Sequence, residues 1–291
     1  MKLGVFHSIS AFCNAGFDLF GFEAPGASAS LFGTDPTVLL PLSALVIVGG
    51  LGFVVWSDVL RKRSLKKLTV YTKLVLIATG GLLLLGWVFT AMLEWNNPAT
   101  IGNMTVPQKL LVSFFQSVTV RTAGFAGIDQ GSMTEAGKAV SLFLMLIGGS
   151  SGSTAGGLKT VTLLVIVLFT ISRMRGQEQV VVFHRTIPRD RVMNALSISG
   201  IMVALAFFGA ALICATSPVS LSDALYETTS AIATVGLSCS LTPTLSVPAK
   251  LLLIVYMYFG RVGVLTISLG FLRKRQAETR YKYAETNILI G

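Results

Sequence analysis

"KLLVSFFQSVTVRTAGF", residues 109–125, is apolar enough to enter a membrane. At 17 residues, ending in a glycine, it is too short to cross one as a helix, which takes about 20. Two other stretches share its form. "VFHSISAFCNAGF", residues 5–17, ends in N-A-G-F, and "ALYETTSAIATVGL", residues 224–237, ends in T-V-G-L, where the first ends in T-A-G-F. Their glycines, Gly16, Gly124 and Gly236, lie 108 and 112 residues apart, which marks a repeat of similar period. Each piece precedes a long apolar run. The reading that fits is a unit of span, short descending helix, extended return and second span. Thr105 with Gln108, and Ser220 with Asp223, have the spacing of helix N-caps, and Pro107 suits a first turn. Two of the descending helices are predicted to begin there.

Composition agrees. Hydrophobic residues make up 53% of the 291 positions, charged residues only 12%, and the mean hydropathy is +0.74, which excludes a water-soluble domain. Apolar runs long enough to span occur at 38–56, 73–93, 137–171, 192–216 and 248–271, and the third is too long for one simple crossing. The net charge of +10 does not point to nucleic acid, because 16 of the 23 Lys and Arg fall in 61–73, 173–191 and the C-terminal segment. The loops at 18–37, 94–108 and 217–247 hold none. That asymmetry orients a multi-pass protein in the bilayer, with the basic loops cytoplasmic. Cys13, Cys214 and Cys239 form no disulfide framework, and His7 and His184 stand far apart in sequence, so a metal site is unsupported. Nor is an enzyme expected. "GSTAGGLKT" departs from a phosphate loop because Leu158 intrudes before Lys159, and the spans lack clustered acid and base residues.

Non-helical backbone at membrane depth is tolerated where it is buried or lines a water-filled cavity. Three equivalent returns therefore argue for one shared pore. A dehydrated cation needs oxygen ligands in place of its hydration shell, and backbone carbonyls supply them. The candidate filter is Asn14, Ala15, Gly16 and Phe17; Thr122, Ala123, Gly124 and Phe125; and Thr234, Val235, Gly236 and Leu237. None is acidic. The competing reading is helix packing through small residues. Arg121 and Glu227, each costly alone at that depth, are expected to pair behind the filter. Arg261 sits mid-span as either a functional charge or half of an ion pair, and Lys159 either holds the neighbouring loop or snorkels to the interface.

In these residues the chain resembles the Trk/Ktr/HKT superfamily of potassium transporters, and within it the bacterial Ktr membrane subunit. "HSISAFCNAGFDLF" resembles the second pore loop of that family, "QSVTVRTAGF" the third and "SAIATVGLS" the fourth. "GGSSGSTAGGLKT", residues 148–160, resembles the loop that interrupts the second span of the third repeat. "YFGRVGVLTI" resembles the last span with its arginine, and the terminal "ILIG" also fits. The resemblance implies an all-α membrane fold of repeated, potassium-channel-like M1-P-M2 units with re-entrant pore helices. The second unit is partial (1–60) and the third (61–175) and fourth (176–291, with a cytoplasmic tail) are complete. The first repeat and the first span of the second are then expected upstream of an N-terminally truncated chain.

The function implied is potassium uptake across the cell membrane by a pore-forming subunit. The resemblance adds K+ as the transported ion, sodium as an activating ion, no cofactor in this chain, a homodimer of complete pores and a cytoplasmic nucleotide-binding regulatory subunit. The competing reading is an inactive fragment or an assembly subunit of a membrane complex. The gate it implies is Gly148, Gly149, Ser150, Ser151, Gly152, Ser153, Thr154, Ala155, Gly156 and Gly157, with Arg261 in the pore below the filter as a barrier to cations. A simple kink would need only a Pro or one Gly.

Overall fold

The computed structural model describes residues 2–22, 28–177, 179–183 and 185–262. His184, the far end of the last expected span, and the tail with its basic segment and "ILIG" lie outside them. The second repeat supplies α1 (Lys2–Phe12), then α2 (Pro36–Leu51) and α3 (Phe53–Lys62). The third supplies α4 (Val70–Glu94), α5 (Val106–Thr119), α6 (Glu135–Leu146) and α7 (Thr160–Met174). The fourth supplies α8 (Arg189–Thr216), α9 (Leu221–Ile232) and α10 (Val247–Val262). Helices α1, α5 and α9 are the three short descending pieces, each followed by an irregular return.

The expected caps are present: Thr105 N donates to Gln108 Oε1 at 3.0 Å, and Asp223 N donates to Ser220 Oγ at 3.1 Å. Helices α4 and α8 are each long and apolar enough to cross a membrane, and α2 with α3 qualifies as one broken span. Each short helix packs on the spans of its own repeat: α1 on α2, α5 on α4, and α9 on α8 and α10. Helix α2 also packs on α5, and α6 on α9, which joins the repeats. Buried hydroxyls fasten the helices to neighbouring carbonyls. Ser117 Oγ donates to Leu83 O at 2.8 Å, and Tyr256 Oη donates to Leu205 O at 2.7 Å.

One expectation changes. The run 38–56 is not one straight span: its helix ends at Leu51, and α3 leaves at 92°. The cause is local, because Gly52 has φ +82, outside the helical region. The all-α fold holds, with one short hairpin added. Val180–Val182 (β1) and Arg185–Ile187 (β2) form an antiparallel hairpin between α7 and α8. Val180 and Val182 bury their side chains with Val165 and Val192, and Ser172 Oγ ties the hairpin to α7 through Gln179 O at 2.9 Å.

Glu94 was not singled out in the sequence. Its fully buried carboxylate accepts from Thr134 N at 2.9 Å, Thr134 Oγ1 at 2.7 Å, Asn97 Nδ2 at 2.7 Å and Thr100 Oγ1 at 2.8 Å. Four donors at one carboxylate make its burial tolerable, and they staple the end of α4 to the start of α6.

Candidate ion pathway and gate

The three returns share one backbone pattern. Asn14, Thr122 and Thr234 have φ of +48, +66 and +53, and Gly16, Gly124 and Gly236 have φ of +70, +84 and +90. Successive carbonyls of an ordinary strand point to opposite sides. Placing alternate residues in the left-handed region turns them toward one side. Non-glycine residues seldom adopt positive φ, and Asn tolerates it best. The same strained choice at equivalent positions three times over marks a built feature.

The glycines also let the segments meet. A Cβ added at Gly124 would lie 2.6 Å from Val235 O and 3.0 Å from Gly16 Cα, so no side chain fits between the second, third and fourth segments. The carbonyls of Phe17 and Phe125 are engaged elsewhere: Ser10 Oγ donates to Phe17 O and Thr119 Oγ1 to Phe125 O, both at 2.7 Å. At those two positions the oxygen turns back to the descending helix. This narrows the expected ligand set, in the second and third segments, to the three residues before each.

Between the second and fourth segments lies a cavity of about 470 Å3, lined by Asn14, Ala15, Phe17, Thr234, Val235 and Gly236, with Arg261 also on its wall. Phe17 is 71% exposed on this side, whereas Phe125, its equivalent in the third segment, is fully buried.

The glycine-rich stretch is a closed loop. Its ends are zipped, with Gly148 N donating to Leu158 O at 2.8 Å and Leu158 N to Leu146 O at 2.9 Å. It touches the second and fourth segments directly, and meets the third through Arg121, the residue that precedes it. Thr154 Oγ1 donates to Asn14 Oδ1 at 2.8 Å, Arg121 Nη2 donates to Gly148 O at 3.1 Å, and a Cβ at Gly156 would collide with Thr234 Oγ1. Small residues therefore serve close packing. Ser150 and Ser153 donate their hydroxyls to the carbonyls of Leu51 and Ser150, satisfying backbone freed by the break. Lys159 Nζ donates to Ala155 O at 2.8 Å, so it holds the loop. Arg261 Nη1 donates to Thr154 O at 2.7 Å, and among the described residues it has no acidic partner.

One expected pair is not formed. Arg121 binds the loop carbonyl of Gly148, while Glu227 accepts from Ser238 Oγ at 2.5 Å, Cys239 N at 3.1 Å and Thr242 Oγ1 at 3.0 Å. Glu227 is satisfied by three local donors, which removes its need for a partner of opposite charge, whereas Arg121 reaches one carbonyl and its buried Nε finds no partner among the described residues. The bracing between repeats expected of that pair is made by other residues: Tyr226 Oη donates to Gln130 Oε1 at 2.7 Å, and Lys138 Nζ pairs with Asp223 at 2.7 Å.

A second contact was missed. The loop is stitched to the break between α2 and α3: Ser150 N donates to Gly50 O at 3.0 Å, Phe53 N to Gly152 O at 3.2 Å, and Tyr71 Oη to Ser151 O at 3.0 Å. The signal for it was "GGLG", residues 49–52, which interrupts an otherwise apolar run.

This geometry has close relatives. The chain is 42% identical over 296 residues to the Ktr system potassium uptake protein B of Vibrio alginolyticus, covering 100% of this chain and 63% of that protein. It is 38% identical over 292 residues to the potassium/sodium uptake protein NtpJ of Enterococcus hirae, covering 99% and 63%. The chain thus spans under two thirds of the length of these curated relatives. In fold it matches the crystal structure of the potassium transporter TrkH from Vibrio parahaemolyticus with a TM-score of 0.74 at 20% identity, covering 92% of this chain and 57% of that one. The family profile described as "TrkH: Cation transport protein" matches residues 2–281. With its repeated re-entrant segments in a multi-pass membrane fold, the chain belongs to the TrkH family of cation transport proteins.

Proposed function

We propose that this chain supplies three filter segments and the gate of a pore subunit for potassium uptake across the cell membrane. The observation that carries the reading is the convergence of three left-handed glycines, Gly16, Gly124 and Gly236, beside a loop that contacts the second and fourth segments and Arg121, the residue before the third. Carbonyls of the residues before and at each glycine replace the hydration shell of K+, without a fixed negative charge to trap it. The loop below closes the path, and Arg261 opposes a cation there by charge. A fourth segment, which the family resemblance implies, seats in the cavity between Gly236 and Gly16. The relatives named for potassium uptake support this ion. The Ktr system names support a companion regulatory subunit docking on the cytoplasmic basic loops, and a nucleotide-binding subunit, a homodimer of pores and sodium activation belong to the same proposal.

The test is potassium-limited growth of an uptake-deficient cell. A version extended to the length of the relatives should restore growth, and Gly124→Asp in it should abolish restoration. Growth unaffected by Gly124→Asp would remove the filter assignment. Expression of these 291 residues alone tests the competing reading of a fragment or assembly subunit.

A further inference from the structure

Nine residues before each filter glycine stands a brace, and its chemistry differs between repeats: His7, Phe115 and Glu227. Each supports backbone three residues after that glycine. In the fourth repeat, Cys239 N donates to Glu227 Oε1 at 3.1 Å. In the third, the Phe115 ring stands against Gly127, where an added Cβ would lie 2.8 Å from Cδ1. In the second, Leu19 N donates to His7 Nε2 at 3.2 Å.

His7 is 6% exposed and stacked on Phe20 at a centroid distance of 4.1 Å. Its Nδ1 lies 2.7 Å from Leu3 O. The two partners fix its protonation. A carbonyl only accepts, so Nδ1 carries the proton; an amide only donates, so Nε2 must present a lone pair. The imidazolium would set an N–H against the N–H of Leu19. Among the described residues, the return that packs on His7 carries two other titratable side chains, the free thiol of Cys13 and Asp18, and Asp18 accepts from Phe20 N and Ser28 Oγ. Asp35, at the start of α2, is held by Thr37. Helix α1 from residue 3 onward, α2 and the turn at Ala29–Phe32 bring no charged group.

We propose that His7 is a positioning residue whose neutral, Nδ1-protonated form holds the return of the second filter segment, and that acid releases it. Phe115 does not titrate, so the third segment lacks this response. The consequence for transport rests on the pore reading above. The state of the Leu19 amide does not.

The test is hydrogen exchange at Leu19, normalised to its intrinsic rate, in the 291-residue chain in lipid nanodiscs at pH 7.5 and 5.5. Exchange should quicken about fivefold at the lower pH, the size of one hydrogen bond. In His7→Gln, whose side-chain oxygen accepts at either pH, protection should hold at both. In His7→Phe, exchange should be fast at both. Equal protection of the parent at the two pH values, or the same acid-induced loss in His7→Gln, overturns the proposal. Potassium uptake by the longer protein is a separate reading: if present, it should share the acid sensitivity of the parent and lose it in His7→Gln. Absence of uptake at pH 7.5 tells against the pore, while the exchange result still decides the role of His7.

Discussion

Thr154 donates its hydroxyl to Asn14 Oδ1 at 2.8 Å, so the first residue of the proposed filter segment at 14–17 holds the glycine-rich loop. Asn14 has a left-handed backbone, and its side chain is therefore aimed by the same conformation that turns the carbonyls. Filter shape and loop position are coupled through one side chain. Thr154→Val keeps the volume and removes the bond. It is expected to raise potassium flux by about fivefold, one hydrogen bond of closed-state stability, measured as initial uptake rate at saturating potassium. An unchanged rate would detach Asn14 from closure.

Arg261 holds the same residue from the other side, through Thr154 O at 2.7 Å. With no acidic partner among the described residues, its removal leaves no orphaned carboxylate. Arg261→Gln is expected to raise flux severalfold and to leave the melting temperature within about 3 °C, the range of a small change in stability. A large fall in melting temperature with unchanged flux would make Arg261 a structural residue.

The repeated short helices with their glycine returns and the interrupted span were legible because each is written in one run of sequence: three X-G-aromatic or X-G-Leu ends at fixed spacing, and ten consecutive small residues. What contacts what was not. Arg121 and Glu227 were natural partners by charge, yet hydroxyls and an amide meet Glu227 and the Gly148 carbonyl meets Arg121, and sequence spacing does not reveal which dipole is closer. The break at Gly52 was missed because glycines are frequent within membrane helices, so "GGLG" by itself does not separate a break from a continuous span. The β hairpin was hidden because three-residue strands leave too short an alternation to separate from a loop.

Gly124 is the most crowded of the filter glycines. An alanine there meets the cost of left-handed backbone, about 1–2 kcal/mol, and a carbonyl 2.6 Å from its Cβ. Both strain the third segment. Gly124→Ala is expected to lower the ratio of potassium to sodium uptake at least tenfold in competition assays while membrane insertion, measured by protease protection, stays intact. A preserved ratio would move selectivity away from this segment.

Arg121 and Glu227 give a test of the corrected contacts. If they bind separate partners, a double-mutant cycle on Arg121→Gln and Glu227→Gln should show a coupling below about 0.5 kcal/mol in chemical denaturation, as for independent sites. Arg121→Gln alone should cost about 1–3 kcal/mol, because Gly148 O loses a buried donor. A coupling of several kcal/mol would restore the ion pair.

Gly52 joins the cytoplasmic basic segment to the loop. It ends α2, begins α3 and has φ +82, and a Cβ there would lie 2.8 Å from Ser150 Oγ and 3.0 Å from Gly152 O. Ser150 in turn donates to Gly50 O and Leu51 O, and Phe53 N donates to Gly152 O, so the loop is bonded to both sides of the turn. Adding one methyl must therefore either straighten the 92° bend or push Ser150 away. In both cases the loop shifts without any filter residue being changed. Gly52→Ala is expected to alter flux in the same direction as Thr154→Val while the potassium to sodium ratio stays at the parent value. Combined with Ser150→Ala, which removes the hydroxyl that the methyl would strike, it should recover part of the parent rate. A Gly52→Ala protein with parent flux would show that the loop is positioned from the filter alone, and one with altered selectivity would show that the bend acts through Asn14 and the second segment.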